Sequence, residues 1–136
     1  MASLATTYHA QGRYNEAETI KVEVLELLRE ILGEKHPDTI RSMAELATTY
    51  HAQGRYDEDE GISTEVLQLR REVLGEKHPN SLQAMHNLAI TWNSRGRRDN
   101  AIALMGECLR LKRTVLGLDH PYTKASDRAL NSWKTG

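Results

Sequence analysis

The chain repeats itself at an offset of 42 positions, and no other feature constrains its fold as strongly. The eleven residues Leu4–Tyr14, LATTYHAQGRY, return unchanged as Leu46–Tyr56, and 28 of the first 42 positions match the residue 42 places later. The same offset aligns Met1, Met43 and Met85, then Leu4, Leu46, Leu88 and Leu130, then Gly12, Gly54 and Gly96. LGEKHP at Leu32–Pro37 recurs at Leu74–Pro79 and relaxes to LGLDHP at Leu116–Pro121. Self-similarity at this spacing marks a stacked array, in which each unit buries its apolar face against its neighbours.

Each unit reads as two helices. Leu82, Met85, Leu88, Ala89 and Trp92 fall at intervals of three and four, as do Ile40, Met43, Leu46, Ala47 and Tyr50 one period earlier. Those intervals put one apolar stripe on a helix. Gly54 and Gly96 then stop the helix, because glycine takes the left-handed conformation at little cost. A second helix follows, with Asn15 or Asp57 as its cap and Glu18 or Glu60 completing a capping box. In the first unit it runs through Ile20, Val24, Leu25, Leu27, Ile31 and Leu32. Gly33, Gly75 and Gly117 close these second helices. Pro37, Pro79 and Pro121, all the prolines of the chain, then open the next ones, where a missing N–H costs nothing. No segment alternates with the two-residue period of a strand. The expected fold is therefore all-α, a right-handed α-solenoid of antiparallel helix pairs. Its units are 1–42, 43–84 and 85–126, with a lone terminal helix over about 121–135. The first helix starts about one turn short of the others, which reads as a piece excised from a longer array.

Composition narrows the function. The 136 residues carry a formal charge of −1, which leaves no electrostatic footprint for nucleic acid or an anionic membrane. No apolar run reaches spanning length and no leader pattern opens the chain, so a cytoplasmic address is the default. Cys108 is the one cysteine. It has no partner for a disulfide, and it aligns with Val24 and Val66, which makes it a small core residue. His36, His78 and His120 recur before proline, but whole helix pairs separate them, whereas zinc ligands converge within about 2.1 Å of one ion. They read as turn and cap residues, and His9 and His51 as structural too. No metal, cofactor or catalytic constellation is expected, so the chain is not read as an enzyme.

The order of leucine, small residue, aromatic and glycine in LATTYHAQG and LAITWNSRG, with Ala17 and Ala101 on the second helix, resembles the tetratricopeptide repeat. The longer second helix ending in LGEKHP resembles the 42-residue repeats of kinesin light chain, and most closely the arrays of fungal NOD-like receptor (NACHT or NB-ARC) proteins. The chain departs from that pattern in places. Only Asn87 matches the asparagine usual before the leucine; Ser3, Glu45 and Ala129 hold it elsewhere. Lys21, Ser63 and Met105 replace an aromatic. Asp59 stands where Ala17 and Ala101 pack, so Asp59→Ala is expected to stabilise. Gly61 and Gly106 interrupt helices at roughly 1 kcal/mol each.

What the resemblance implies is a protein- or peptide-binding scaffold, part of a larger sensor or adaptor, with ligand held in the groove lined by the first helices. On that face the sequence offers Arg41, Glu45, Thr48 and His51, then Gln83, His86, Asn87, Ile90 and Asn93, and on the last helix Lys124 and Arg128. Asn87 and Asn93 would hold an extended backbone, and Lys124, Arg128 and Arg41 would draw acidic side chains. The alternative is a self-association module, a homo-oligomer formed through repeat ends such as the Leu4 and Tyr8 edges.

Overall fold

The computed structural model describes the backbone of residues 2–135 and the side chains of residues 15–135. Six helices account for nearly all of it: α1 (Ala2–Leu32), α2 (Pro37–Ala52), α3 (Tyr56–Leu74), α4 (Pro79–Ser94), α5 (Arg98–Val115) and α6 (Pro121–Thr135). No strand occurs among the described residues. The architecture is all-α, built of antiparallel helix pairs. It divides into two compact units, Met1–Ile62 and Ser63–Gly136.

The punctuation expected of the prolines and histidines is present at every repeat. His36, His78 and His120 precede the helices that begin at Pro37, Pro79 and Pro121. Each uses its ring Nδ1 to accept the N–H two residues on, from Asp38 at 3.1 Å, Asn80 at 3.0 Å and Tyr122 at 3.0 Å. That bond satisfies one of the orphan donors of a helix start. Two residues after each proline sits a buried hydroxyl that the apolar periodicity does not flag. Thr39, Ser81 and Thr123 donate to the carbonyls of Leu28, Gly75 and Lys112, at 3.5, 2.7 and 3.4 Å, near the end of the preceding helix. One histidine and one hydroxyl per period thus tie a helix end to the next helix start. Gly54 and Gly96 turn their corners at φ 76° and 81°, a conformation costly for any residue with a Cβ.

In the first unit α2 packs antiparallel on α1, burying Ile40, Met43, Leu46 and Ala47. Lys21 reaches across to Thr49 Oγ1 at 2.8 Å, and Arg55 pairs with Glu18. In the second unit α4 packs on α5 and α5 on α6. Leu82, Met85, Ala89, Ala101, Met105 and Cys108 are sealed from solvent there. Cys108 is a free, buried thiol, as its alignment with valines implied. It donates to Leu82 O at 3.2 Å.

The first repeat departs from expectation. Residues 2–32 form one continuous helix, so Gly12 makes no corner and Asn15 lies inside α1 rather than capping a second helix. Asp57 is also not a cap: α3 begins at Tyr56, and Asp57 lies in its first turn, where its charge complements the helix dipole. Within α1 the backbone groups pair along one helix, so the residue at position 12 is carried without a turn.

Candidate functional site

The faces named from the sequence differ from helix to helix. On α2, Arg41 and Glu45 are exposed, and Arg41 holds Asp38 at 3.4 Å. Thr48 is exposed too, but its hydroxyl folds back to Ala44 O at 3.1 Å. His51 is unlike these. Its Nδ1 lies 2.9 Å from Oδ2 of buried Asp59, across the Gly54 corner, and its ring leans on Tyr56. A groove role for His51 is therefore corrected to a structural one. Asp59 is likewise not a bare packing fault, since its carboxylate has a partner. Arg55 completes this corner, lying over the Tyr50 ring at 4.5 Å and holding Glu58 at 2.7 Å. Its bonds to Glu58 and Glu18 raise the guanidinium pKa further.

On α4 the amides are available. Gln83 Nε2 donates to Asn87 Oδ1 at 3.2 Å on the exposed side of the helix, and Asn93 lies half-buried near its end. His86 is withdrawn from that face. It is buried, with Nδ1 2.9 Å from Ser126 Oγ on α6. Burial, with Lys112 beside it, pushes its pKa down to about 4. Nothing in the sequence signals this link, because residues 40 positions apart share no local pattern.

Ser126 also accepts from Lys112 Nζ at 2.9 Å, and Lys112 donates to Tyr122 O at 3.3 Å. Burial lowers the Lys112 pKa and raises that of Cys108. A hydroxyl bonded to an amine and an imidazole has the ingredients of nucleophile and base. Here Ser126, Lys112 and Cys108 are all sealed from solvent, so no substrate reaches them, and the cluster serves as an internal tie between α4, α5 and α6.

Lys124 and Arg128 are exposed on α6, but their register differs from that of the amides. One period back, Lys124 corresponds to Leu82 and Arg128 to His86, whereas Gln83 and Asn87 correspond to Ala125 and Ala129. Adjacent positions lie about 100° apart around a helix. The two cations therefore belong to the stripe side of α6, where Asp127, Asn131 and Lys134 replace Met85, Ala89 and Trp92. Carrying the register through to the last helix makes this legible in the sequence.

Among the described residues, no three His, Cys, Asp or Glu side chains converge as a metal site. None of the described helices is long and apolar enough to cross a membrane. A shallow depression lined by Gly96, Arg97, Arg98, Asp99 and Asn100 sits at the α4–α5 corner, away from the amide pair. The readings of His9, Leu4 and Tyr8 fall on side chains outside the described residues.

Models of the tetratricopeptide repeat match residues 1–58, 39–80 and 81–122. The chain belongs to the tetratricopeptide repeat family. Such repeats are scaffolds that generally mediate protein–protein interaction. Among solved structures, it is similar to a Podosopora anserina kinesin light chain-like protein of nearly identical TPR-like repeats, with TM-score 0.83 and 27% identity over 96% of this chain and 62% of that one. A singly substituted form of that protein gives 0.79 and 27%, over 97% and 62%. BtubC (BKLC) from P. vanneervenii matches in fold, with TM-score 0.83 at 19% identity, over 97% of this chain and 53% of that one. The chain thus spans less than two thirds of these neighbours. No curated protein matches it.

Proposed function

We propose that this tetratricopeptide repeat segment is a non-catalytic scaffold that holds an extended protein segment on the first-helix faces, with Gln83 and Asn87 of α4 at the centre. The observation that carries the reading is the amide pair itself. Each amide both donates and accepts, and the two bond to one another on the exposed side of α4 while neighbouring His86 is committed inward. An incoming backbone replaces that single bond with several. Asn93 extends the amide row along α4. Arg41, Glu45 and Thr48 give α2 a face of its own, and Lys124 and Arg128 attract acidic segments from the edge of α6, an effect that salt screens.

The setting belongs to the same proposal: a larger cytoplasmic sensor or adaptor, of the kind the NOD-like receptor resemblance implies. The test is fluorescence anisotropy against an array of labelled octapeptides, neutral and acidic. Asn87→Ala should weaken the tightest binders at least tenfold with helical content unchanged, and Arg128→Glu should weaken acidic peptides only. Equal binding by Asn87→Ala and the parent overturns the reading. Self-association is the second reading, favoured by one observation: α1 leaves Ile20, Leu27 and Ile31 in solvent.

A further inference from the structure

Lys112 on α5 is a buried cation, and no described carboxylate pairs with it. It is 1% exposed, and its amine donates to Ser126 Oγ at 2.9 Å and Tyr122 O at 3.3 Å. The centre of the Tyr122 ring lies 5.9 Å from the same nitrogen. Every one of these partners belongs to α6. One period back, Arg70 donates to the equivalent carbonyl, Asn80 O, at 3.4 Å, and stays partly in solvent. The joint therefore forms with a cation in water, and burial of that cation is peculiar to Lys112.

α6 is held mainly by this polar centre. Its buried side chains are Thr123, Ser126 and Leu130, with Ala125, Ala129 and Trp133 half-buried. α4 buries Leu82, Met85, Leu88 and Ala89 besides its polar residues. The Thr123 hydroxyl reaches Lys112 O at 3.4 Å, and Asp127 meets Arg113 at 3.7 Å in a half-exposed pair worth little. Ser126 Oγ does most of the joining. It takes the Lys112 amine, faces Nδ1 of buried His86 at 2.9 Å and lies 3.9 Å from Cys108 Sγ. Hydrogen bonds to neutral groups replace only part of the hydration that a buried ammonium gives up. When α6 leaves, Lys112 and His86 regain water, while the packing of α4 on α5 is kept.

We propose that α6 is a releasable strap, which undocks as one helix from the α4–α5 pair well before that pair unfolds, and that buried Lys112 sets how often it does so. A local opening of this kind is a cooperative event of lower free energy than global unfolding. The open state bares Lys112, His86 and the Cys108 thiol together, a surface that the closed chain withholds.

Hydrogen exchange on the whole chain at fixed pH tests the strap. Amides of residues 126–130 should open about a hundredfold more often than those of residues 82–89. Lys112→Met, which keeps the length and removes the charge, should slow exchange in α6 about tenfold and leave α4 unchanged. Ser126→Ala takes the shared acceptor away and should speed α6 about tenfold. Labelling of the Cys108 thiol by a neutral disulfide reagent should report the same opening constant as the α6 amides, with a weak dependence on urea. None of these readouts requires a bound segment. If α6 exchanges in step with α4, or Lys112→Met fails to slow it, the strap is overturned. It is equally overturned if Cys108 is labelled only when α4 opens, because α6 then frays in place without leaving.

Discussion

Leu4–Tyr14 and Leu46–Tyr56 are the same eleven residues in two different structures. The first stretch runs inside the unbroken helix α1, and the second ends α2, turns at Gly54 and starts α3. The glycine is the same in both, so it permits the corner without causing it. What differs is the surroundings. At the second corner Arg55 grips Glu18, His51 grips Asp59, and α2 buries its stripe from Ile40 onward. At the first, Ala17 stands in the place of Asp59. The third repeat shows which difference matters. Its corner at Gly96 forms with Asn93 and Ala101 in place of the His–Asp pair, while α4 seals Leu82 and Met85. The corner thus goes with a docked first helix, and the clasp is an addition of the second repeat.

The largest expected effect separates the later repeats from the first by acid. His86 has its pKa lowered to about 4, so the folded chain binds fewer protons than the unfolded one. The stability this contributes is complete above the unfolded value of about 6.5 and is lost as pH falls toward 4. The loss amounts to roughly 3 kcal/mol. Amide exchange should therefore quicken in α4–α6 across that window, and His86→Gln should flatten the profile. Uniform loosening of all helices would show that the His86–Ser126 link is not the sensitive point.

Next comes the clasp. His51→Ala removes the imidazole from buried Asp59 and should cost about 2 kcal/mol, less than the roughly 3–5 of a fully buried pair because His51 is itself partly exposed. Adding Asp59→Ala gives the second corner the alanine found in the first and third repeats and should restore most of the loss. Denaturant midpoints check both, and a double variant no better than the single one would mean that the clasp itself holds the corner. This replaces the simpler expectation that Asp59→Ala stabilises on its own.

The smallest effect is also the cleanest. Gly61 and Gly106 lie within helices and a Cβ at either meets nothing within 4 Å, so each change to Ala should add about 1 kcal/mol. Gly54→Ala, at φ 76°, should destabilise instead. Thermal melts of the three variants suffice, and equal shifts at all three positions would contradict the assignment of Gly54 to a corner.

Most of the fold could be read from the sequence because its punctuation is local. A proline, a histidine and a glycine mark each joint, and the stripe intervals mark each helix. The continuous α1 could not be read that way, since identical residues carry identical local preferences and the choice lies in docking. The candidate site was less legible for the same reason. His51 and His86 look like surface residues on a helical wheel, yet each is claimed by a partner that only the packed structure brings near, Asp59 and Ser126. The outward direction of Gln83 and Asn87 was legible, because it follows from the stripe intervals of α4 itself.

The distance between spin labels at Ser3 and Glu23, introduced as cysteines in a Cys108→Val background, tells a straight α1 from one that turns at Gly12. Diluting the labelled chain with unlabelled chain keeps the measurement within one molecule. A straight α1 separates the two backbone positions by 20 residues, about 30 Å, and a corner at Gly12 would bring them to about 10 Å. The predicted result is the longer distance there and the shorter one between Asn87 and Glu107, the equivalent positions two periods on, which flank the Gly96 corner. The shorter distance at Ser3 and Glu23 would contradict the claim that docking, rather than the eleven residues themselves, makes the corner.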